Sequence, residues 1–243
     1  MRLTEIKLPL DHTDEDLRAA VRKRLGLGAD GILEFAIFRR AVDARNPKAI
    51  VFIYTIDVTV KNEAAVLARF RDDPHVRVAP DRSYGITRGA RLTAHRPVVI
   101  GAGPCGLFAA LLLAEMGLRP VILERGKVVR ERTKDTFGFW RRRALNPESN
   151  AQFGEGGAGT FSDGKLYSQV KDPRFLGRKV LSEFVKAGAP PEILYVAKPH
   201  IGTFRLVTVV EHMRATIEAL GGEFRFQTRV ERIVIDKTAT GER

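Results

Sequence analysis

The sequence lacks the features that define several special classes of protein. Its 243 residues contain one cysteine, Cys105, which excludes an internal disulfide and any metal site built from several cysteines. It contains no low-complexity tract, and its 44% hydrophobic and 29% charged residues exclude wholesale disorder. The first residues alternate polar and apolar side chains, unlike the apolar core of a signal peptide. We therefore expect a globular protein that resides in the cytoplasm.

One apolar stretch, residues 98–114, imitates a short membrane-spanning helix. Its first half contains three glycines and a proline, which would interrupt such a helix. A buried strand followed by a turn and a helix explains the same residues better. We therefore expect no membrane span.

Basic side chains outnumber acidic ones by 41 to 29, and most of this surplus lies in residues 91–243. Such a surplus favours acidic or phosphorylated partners. The arginines are scattered and seldom alternate with aromatic residues, so a nucleic-acid partner is disfavoured and stays only an alternative. The histidines at positions 12, 75, 95 and 212 do not pair with acids at metal-ligand spacing, and we expect no metal site.

The pattern of residues 1–80 predicts a small domain with the element order βαββαβ. Residues 2–8 alternate like a strand, and residues 11–14 can cap a helix that runs to Leu25. Two β-branched or aromatic runs, 33–42 and 49–60, are joined by a turn. A second helix and a short last strand follow. This order is typical of a ferredoxin-like α+β domain, a fold that names no function by itself.

A polar segment without periodicity, residues 81–97, follows this domain and ends at Pro97. We expect it to be a linker. The second domain is then expected over residues 98–243.

The strongest local pattern is the run Val-Val-Ile-Gly-Ala-Gly-Pro-Cys-Gly at residues 98–106. It places a G-x-G-x-x-G turn between a buried strand and a helix, and residues 120–123 form a second apolar strand. Gly101 permits a tight turn, Gly103 lets the backbone approach a diphosphate, and Gly106 lets the helix pack close to the strand. The N-terminus of the helix supplies N–H groups and partial positive charge to the phosphates.

Glu124 stands at the end of the second strand of this unit. A carboxylate there can accept hydrogen bonds from both ribose hydroxyls of an adenosine, and it would repel a 2′-phosphate. The pattern therefore predicts an α/β, Rossmann-like site for FAD or NAD that rejects NADP. Ribose recognition does not separate FAD from NAD.

A glycine-rich segment, residues 150–165, has the composition of a loop whose backbone lies against a ligand. Residues 152–166 read Gln-Phe-Gly-Glu-Gly-Gly-Ala-Gly-Thr-Phe-Ser-Asp-Gly-Lys-Leu, and residues 199–203 read Pro-His-Ile-Gly-Thr. In these runs the chain resembles the bacterial FAD-dependent dehydrogenases, which are flavoproteins of the glutathione-reductase-like superfamily with two dinucleotide-binding domains. The resemblance includes the small domain before the fingerprint and so spans essentially the whole chain.

The resemblance implies an FAD-dependent oxidoreductase in which hydride passes through flavin N5, with NAD(P)H as a candidate co-substrate. It places Glu124 on the adenosine ribose, the backbone of Val230 at the adenine edge, and Ser162 near the flavin. The residues that it implies for the cofactor are Gly101, Ala102, Gly103, Pro104, Gly106, Glu124, Arg125, Gly156, Gly157, Ala158 and Val230.

Candidates for catalysis are few. His200 can act as an acid or base, because the ordinary pKa of histidine is about 6.5. Asp163 and Lys165 can orient a substrate or tune the flavin. The small-molecule substrate, the electron acceptor and the oligomeric state stay open.

Two features depart from the family. Phe204 stands where the family usually has a polar residue, and the nicotinamide domain is missing. We therefore expect a truncated chain with an incomplete FAD-binding domain. Its last residues are expected to form a strand over the strand-like run 229–235, which enters a hairpin within residues 233–241. Three alternatives stay open: a flavoprotein linked to RNA modification, a fragment that binds FAD without catalysis, and a first domain that senses a ligand or docks a partner.

Overall fold

The structure is a computed structural model that describes residues 1–86, 95–168 and 170–234. These residues form two compact units. The first unit comprises Met1–Ser83, Leu166–Leu181 and Pro191–Pro199, and the second comprises the described parts of Tyr84–Lys165, Ser182–Pro190 and His200–Arg243. Compactness thus groups segments that are distant in sequence. The contiguous ranges 1–80, 81–97 and 98–243 stay a prediction about domains.

The helices and strands follow one another in an order that separates an antiparallel from a parallel sheet. They are β1 (Arg2–Pro9), α1 (Asp14–Leu25), β2 (Ile32–Asp43), β3 (Val51–Val60), α2 (Glu63–Arg69), β4 (Val76–Arg77), β5 (Val98–Ile100), α3 (Pro104–Glu115), β6 (Val121–Leu123), α4 (Val129–Arg142), α5 (Leu176–Lys186), α6 (Thr203–Ala219) and β7 (Glu223–Arg225). Single 3₁₀ turns form at Ala158–Phe161 and Pro191–Leu194.

The first unit contains the antiparallel sheet, in the order β2-β3-β1-β4. Its helix α1 begins at a capping box, in which the Thr13 hydroxyl accepts from the Asp16 N–H and the Asp16 carboxylate accepts from the Thr13 N–H. Gly26 ends the helix in the left-handed conformation, at φ 62°. The helix therefore begins within the predicted cap, residues 11–14, and ends at Leu25 as predicted.

The sheet of the first unit has one apolar face and one charged face. The apolar face packs against the helices. The buried hydrophobic residues of the sheet and the helices together are Met1, Leu3, Ile6, Leu17, Val21, Leu25, Tyr54, Ile56, Val58, Val60, Val66 and Val76. Alternate residues of β1 and β3 point to the other face. There Arg2 donates two hydrogen bonds to Asp57, at 2.7 and 3.1 Å. This face takes part in the contacts of a later segment of the chain.

Residues 166–181 and 191–199 complete the first unit. The Arg40 N–H of β2 donates to the Tyr195 carbonyl at 2.7 Å, and the Ala197 N–H donates to the Arg40 carbonyl at 3.1 Å. The rings of Phe38 and Phe175 meet edge to face at a centroid distance of 6.3 Å. Nothing in the local sequence pattern indicated that these segments pair with β2.

The second unit contains the parallel sheet, in the order β5-β6-β7. Helix α3 returns the chain from β5 to β6, and α6 leads into β7. The buried side chains of α3 and α6 include Leu107, Leu111, Val209, Met213 and Ile217. A parallel sheet covered by helices is consistent with a Rossmann-like domain that binds FAD.

One predicted strand of this unit is wrong in its described part. Residues 229–234, the described part of the strand-like run 229–235, have no regular structure. Within the described residues no neighbouring strand pairs with them, and β-branched composition cannot replace the missing partners. Residues 235–241 of the predicted hairpin and residues 87–94 of the predicted linker lie outside the described residues.

Residues 98–114 form β5, the glycine turn and most of α3, as expected. Among the helices that the structure describes, none is long and apolar enough to cross a lipid bilayer.

We predict that buried and exposed valines of the first sheet differ sharply in their sensitivity to substitution. Val58→Ala removes two buried methyl groups and is expected to lower the free energy of unfolding of this unit by about 2 kcal/mol. Val42→Ala makes the same change at a side chain that is 59% exposed and should have little effect. Amide hydrogen exchange of β1 and β3 measures both. Equal loss of protection in the two variants would contradict the assignment of the core.

Candidate functional site

The turn between β5 and α3 is shaped by two glycines that the chain itself requires. Gly101 has a φ of +93°, a conformation that side chains other than glycine rarely adopt, and its N–H donates to the Leu123 carbonyl of β6 at 2.8 Å. A Cβ atom on Gly106 would lie 1.9 Å from the carbonyl oxygen of Gly101. Both positions therefore need glycine for folding, whether or not a ligand is bound.

Gly103 differs from these two glycines, since the protein itself does not demand it. Its φ is −73°, and a Cβ atom there would meet only the Gly157 Cα atom, at an ordinary contact distance of 3.9 Å. Gly103 is also the N-cap of α3, and without a side chain it cannot cap the free N–H groups of the first turn. Pro104 follows as the first helical residue. The turn thus presents unpaired donors beside an open wall.

Glu124 follows β6, and its carboxylate connects this turn to the next loop. Its side chain is only 5% exposed. One carboxylate oxygen accepts from the Ala102 N–H at 2.7 Å, and the other accepts from the Gly126 N–H at 2.8 Å. These two hydrogen bonds fix the carboxylate at the mouth of the glycine turn.

A cleft of about 290 Å³ opens at this point of the second unit. Its lining residues are Ile100, Gly101, Gly103, Leu123, Glu124, Arg125, Gln152, Phe153, Gly154, Gly157, Thr228, Arg229 and Val230. Of the residues implied for a cofactor, Gly101, Gly103, Glu124, Arg125, Gly157 and Val230 are in this set. The others do not line the cleft: Ala102 lies in the glycine turn, Pro104 and Gly106 in the first turn of α3, and Gly156 and Ala158 in the glycine-rich segment.

Arg125 lies at the rim of the cleft and is held from two sides. Its guanidinium carbon is 3.9 Å from the centroid of the Phe153 ring, and its Nε donates to Glu148 at 2.8 Å. Arg229 also donates to Glu148, at 3.1 Å. The hydrogen bond from Arg125 lowers the pKa of Glu148, and the same bond raises the pKa of Arg125. The rim therefore carries two arginines and one carboxylate.

The glycine-rich loop packs against the turn backbone to backbone. The Gly156 N–H donates to the Ala102 carbonyl at 2.8 Å. A Cβ atom on Gly157 would lie 3.2 Å from the Cα atom of Gly103, and one on Gly126 would lie 2.5 Å from the Cα atom of Gly154. The glycines of this loop therefore allow close approach within the protein, in addition to any approach to a ligand.

The fully buried side chain of Arg132, in α4, holds the glycine-rich loop in place. The guanidinium donates to four carbonyl oxygens of the loop, those of Asn150, Ala151, Glu155 and Gly157, at 2.7 to 2.9 Å. Burial lowers the pKa of Arg132 to about 10, so the side chain stays charged at neutral pH. One side chain thus fixes the backbone over residues 150–157.

Glu155 is a residue of the glycine-rich loop itself, and its charged side chain is also fully buried. Its carboxylate accepts from the Val129 N–H at the start of α4, at 2.7 Å, and from Arg214 of α6, at 2.8 Å. Burial raises the pKa of Glu155, whereas these two donors oppose the rise. Glu155 therefore links the loop to both helices.

Sequence reasoning assigned no role to Arg132 or Glu155. Arg132 stands in the polar run Arg-Glu-Arg-Thr-Lys, which also contains the exposed Arg130, so residue type alone does not tell the buried arginine from the exposed one. The glycine-rich composition did point to the loop, but it gave no information on the side chains beneath it.

The three candidates for catalysis come together elsewhere in the second unit. Asp163 lies 3.8 Å from the Lys165 ammonium group and 3.5 Å from His200 Nδ1, and all three side chains are about half exposed. Lys165 and His200 also face each other across an isolated β-bridge. None of them lines the cleft, and their roles stay predictions. Phe204, the residue that departs from the family, is 89% exposed.

The lone thiol of Cys105 is exposed. Within the described residues, no group of three or more His, Cys, Asp and Glu side chains could hold a metal ion.

Comparison with known families identifies two regions of the chain. Residues 96–142, which include β5, α3, β6 and α4, match the family model of the FAD binding domain. Residues 1–59 match the model of a domain of unknown function (DUF8436). The first match supports an FAD-binding domain of the oxidoreductase type around the glycine turn and Glu124.

The chain is also similar to an uncharacterized protein of Clostridium beijerinckii. The two are 41% identical over 233 residues, which is 96% of this chain and 43% of that protein. The chain therefore spans less than half of the length of this relative.

We predict that the loop depends on Arg132 for its structure. Arg132→Met keeps an unbranched apolar stem but removes the guanidinium, which leaves four carbonyl groups without their donor and should lower the free energy of unfolding of the second unit by about 3 kcal/mol or more. Arg130→Met makes the same change on an exposed side chain of the same helix; it removes a solvent-exposed ion pair with Glu211 and should cost only about 1 kcal/mol or less. Fluorescence of the single tryptophan, Trp140 of α4, reports unfolding in denaturant. Identical midpoints for the two variants would refute the role of the guanidinium.

Proposed function

We propose that the second unit binds FAD and holds the adenosine and diphosphate part of the cofactor in the cleft. The observation that carries this proposal is the uncapped first turn of α3 beside the wall formed by Gly103 and Gly157. Free N–H groups at a helix N-terminus bind phosphate oxygens, because the donors and the helix dipole act together. The cleft volume of about 290 Å³ suits a part of the cofactor rather than the whole of it.

Glu124 fits the ribose of this adenosine. Each of its oxygens accepts one backbone N–H and retains a lone pair for a ribose hydroxyl. The same buried negative charge disfavours a 2′-phosphate, which supports FAD over NADP at this site. We place the adenine edge at the backbone of Val230; the position of Val230 in the lining of the cleft supports this assignment.

We propose that the protein is an oxidoreductase with NAD(P)H as its partner. Bound FAD supplies hydride transfer through its N5 atom. The residues described here bind and orient the cofactor: the turn holds phosphate, Glu124 holds ribose, and Arg125 covers the rim. Asp163, Lys165 and His200 form a cluster that can hold or move a proton, and we place it at the flavin end on the strength of the resemblance.

Two finer assignments belong to the same proposal. The bacterial FAD-dependent dehydrogenases are the family that the runs at 152–166 and 199–203 support. A ferredoxin-like fold for the first unit is supported by its antiparallel strand order β2-β3-β1-β4.

We predict that Gly103 and Gly106 fail for different reasons when replaced by alanine. In Gly103→Ala the chain should fold normally, since the new methyl group meets only Gly157 at 3.9 Å, but FAD binding should weaken by about tenfold or more. In Gly106→Ala the methyl group overlaps the Gly101 carbonyl, and the fold itself should be destabilised. The flavin absorption band near about 450 nm and the thermal unfolding midpoint separate the two effects. Unweakened FAD binding by a folded Gly103→Ala variant would overturn the proposed place of the diphosphate.

We also predict that Glu124→Gln weakens FAD binding by about tenfold. The amide keeps one acceptor oxygen but replaces the other with an NH₂ group, which cannot accept from a backbone N–H or a ribose hydroxyl. The control is Glu131→Gln, the same change on an exposed residue of α4. Titration of the apoprotein with FAD measures both. If the wild-type chain shows no saturable binding of FAD, the proposed function itself is wrong.

A further inference from the structure

Three guanidinium groups surround one aromatic ring on the charged face of the first sheet. The Cζ atoms of Arg2, Arg82 and Arg178 lie 3.6, 5.0 and 5.4 Å from the centroid of the Phe38 ring. One carboxylate, Asp57, lies 2.7 Å from Arg2 and 2.6 Å from Arg82. The cluster thus contains three positive charges and one negative charge.

The surplus positive charge is partly shielded from water. The side chains of Arg2, Arg82 and Asp57 are 14%, 24% and 11% exposed. Burial lowers the pKa of Arg178, the charges of Arg82 and Arg2 lower it further, and Asp57 opposes them. A positive charge that is shielded from water and repelled by neighbouring positive charges is stabilised when an anion binds beside it.

Arg178 also lines a cavity of about 420 Å³ within the first unit. Most of its wall is apolar, including Phe175, Leu181, Val196 and Pro199. Asp172 contributes the one carboxylate among its lining residues, and both of its oxygens accept from backbone N–H groups at the start of α5. The cavity therefore combines a large apolar wall with a cationic end.

Most N–H donors of the Arg178 guanidinium are available to a ligand. Within the described residues its guanidinium has one hydrogen-bond acceptor, the carbonyl oxygen of Leu194. A guanidinium carries five N–H donors in a planar fork that matches a carboxylate. Arg39, which is exposed, lines the same cavity and adds to its positive charge.

We propose that this cavity is a second binding site, for a small organic carboxylate with an apolar body. The carboxylate pairs with Arg178, and the body packs on the apolar wall. The site is distinct from the proposed FAD cleft, since every lining residue of this cavity belongs to the first unit and every lining residue of the cleft belongs to the second. A bare inorganic anion would use the charge but leave the apolar wall in contact with water.

Calorimetric titration of the full chain with 3-phenylpropionate, 3-phenylpropanamide and inorganic phosphate tests the proposal. The acid should bind saturably, and the neutral amide and the phosphate should each bind about tenfold more weakly or worse. Saturating FAD should leave the binding of the acid unchanged. These three comparisons use the wild-type chain, so they hold even if a variant fails to fold.

Arg178→Gln should weaken the binding of the acid by about tenfold or more. The matched control is Arg174→Gln, which removes the same charge from an exposed residue that does not line the cavity. Far-UV circular dichroism checks that both variants fold. Equal affinity for acid and amide, equal weakening by the two variants, phosphate binding as tight as that of the acid, or displacement of the acid by FAD would each overturn the proposal. So would the absence of saturable binding of the acid up to about 10 mM.

Discussion

The candidate site depends on one buried guanidinium. One wall of the cleft is the backbone of the glycine turn and the glycine-rich loop, and backbone alone does not hold an irregular loop in place. Arg132 provides the constraint, because its planar group binds four carbonyl oxygens between residues 150 and 157. Glu155 then ties the same loop to the start of α4 and to Arg214 of α6. The geometry of the cleft is therefore set by side chains that do not line it.

Glycine is frequent around the cleft for several different physical reasons. At Gly101 and Gly106 the chain requires it, and at Gly126, Gly154 and Gly157 two segments of the protein approach too closely for a side chain. Gly103 is the exception, since a Cβ atom there would meet only the Gly157 Cα atom, at an ordinary contact distance of 3.9 Å. Conformational strain, internal packing and room for a ligand are thus three separate reasons for the same residue type. Only the last of them bears on function.

The features that the sequence predicted correctly are those determined by interactions between residues that are close together in the chain. The βαβ unit with its glycine turn, the position of Glu124, and both ends of α1 follow from periodicity, capping and conformational preference, which act over a few residues. Arg132 and Glu155 escaped prediction because their burial depends on segments that are 18 to 59 residues away. The pairing of Arg40 with residues 195–197 escaped for the same reason, and the strand-like run at 229–235 failed because a strand also needs a partner. The sequence thus indicated where a cofactor cleft lies but not what supports it.

The exposed thiol of Cys105 has a practical consequence. It is the single cysteine of the chain and lies in the first turn of α3, two residues after Gly103. A maleimide dye or a nitroxide would attach at this one place, and no background cysteines would have to be removed. The chain therefore already contains a specific attachment point for a spectroscopic label beside its candidate phosphate-binding turn.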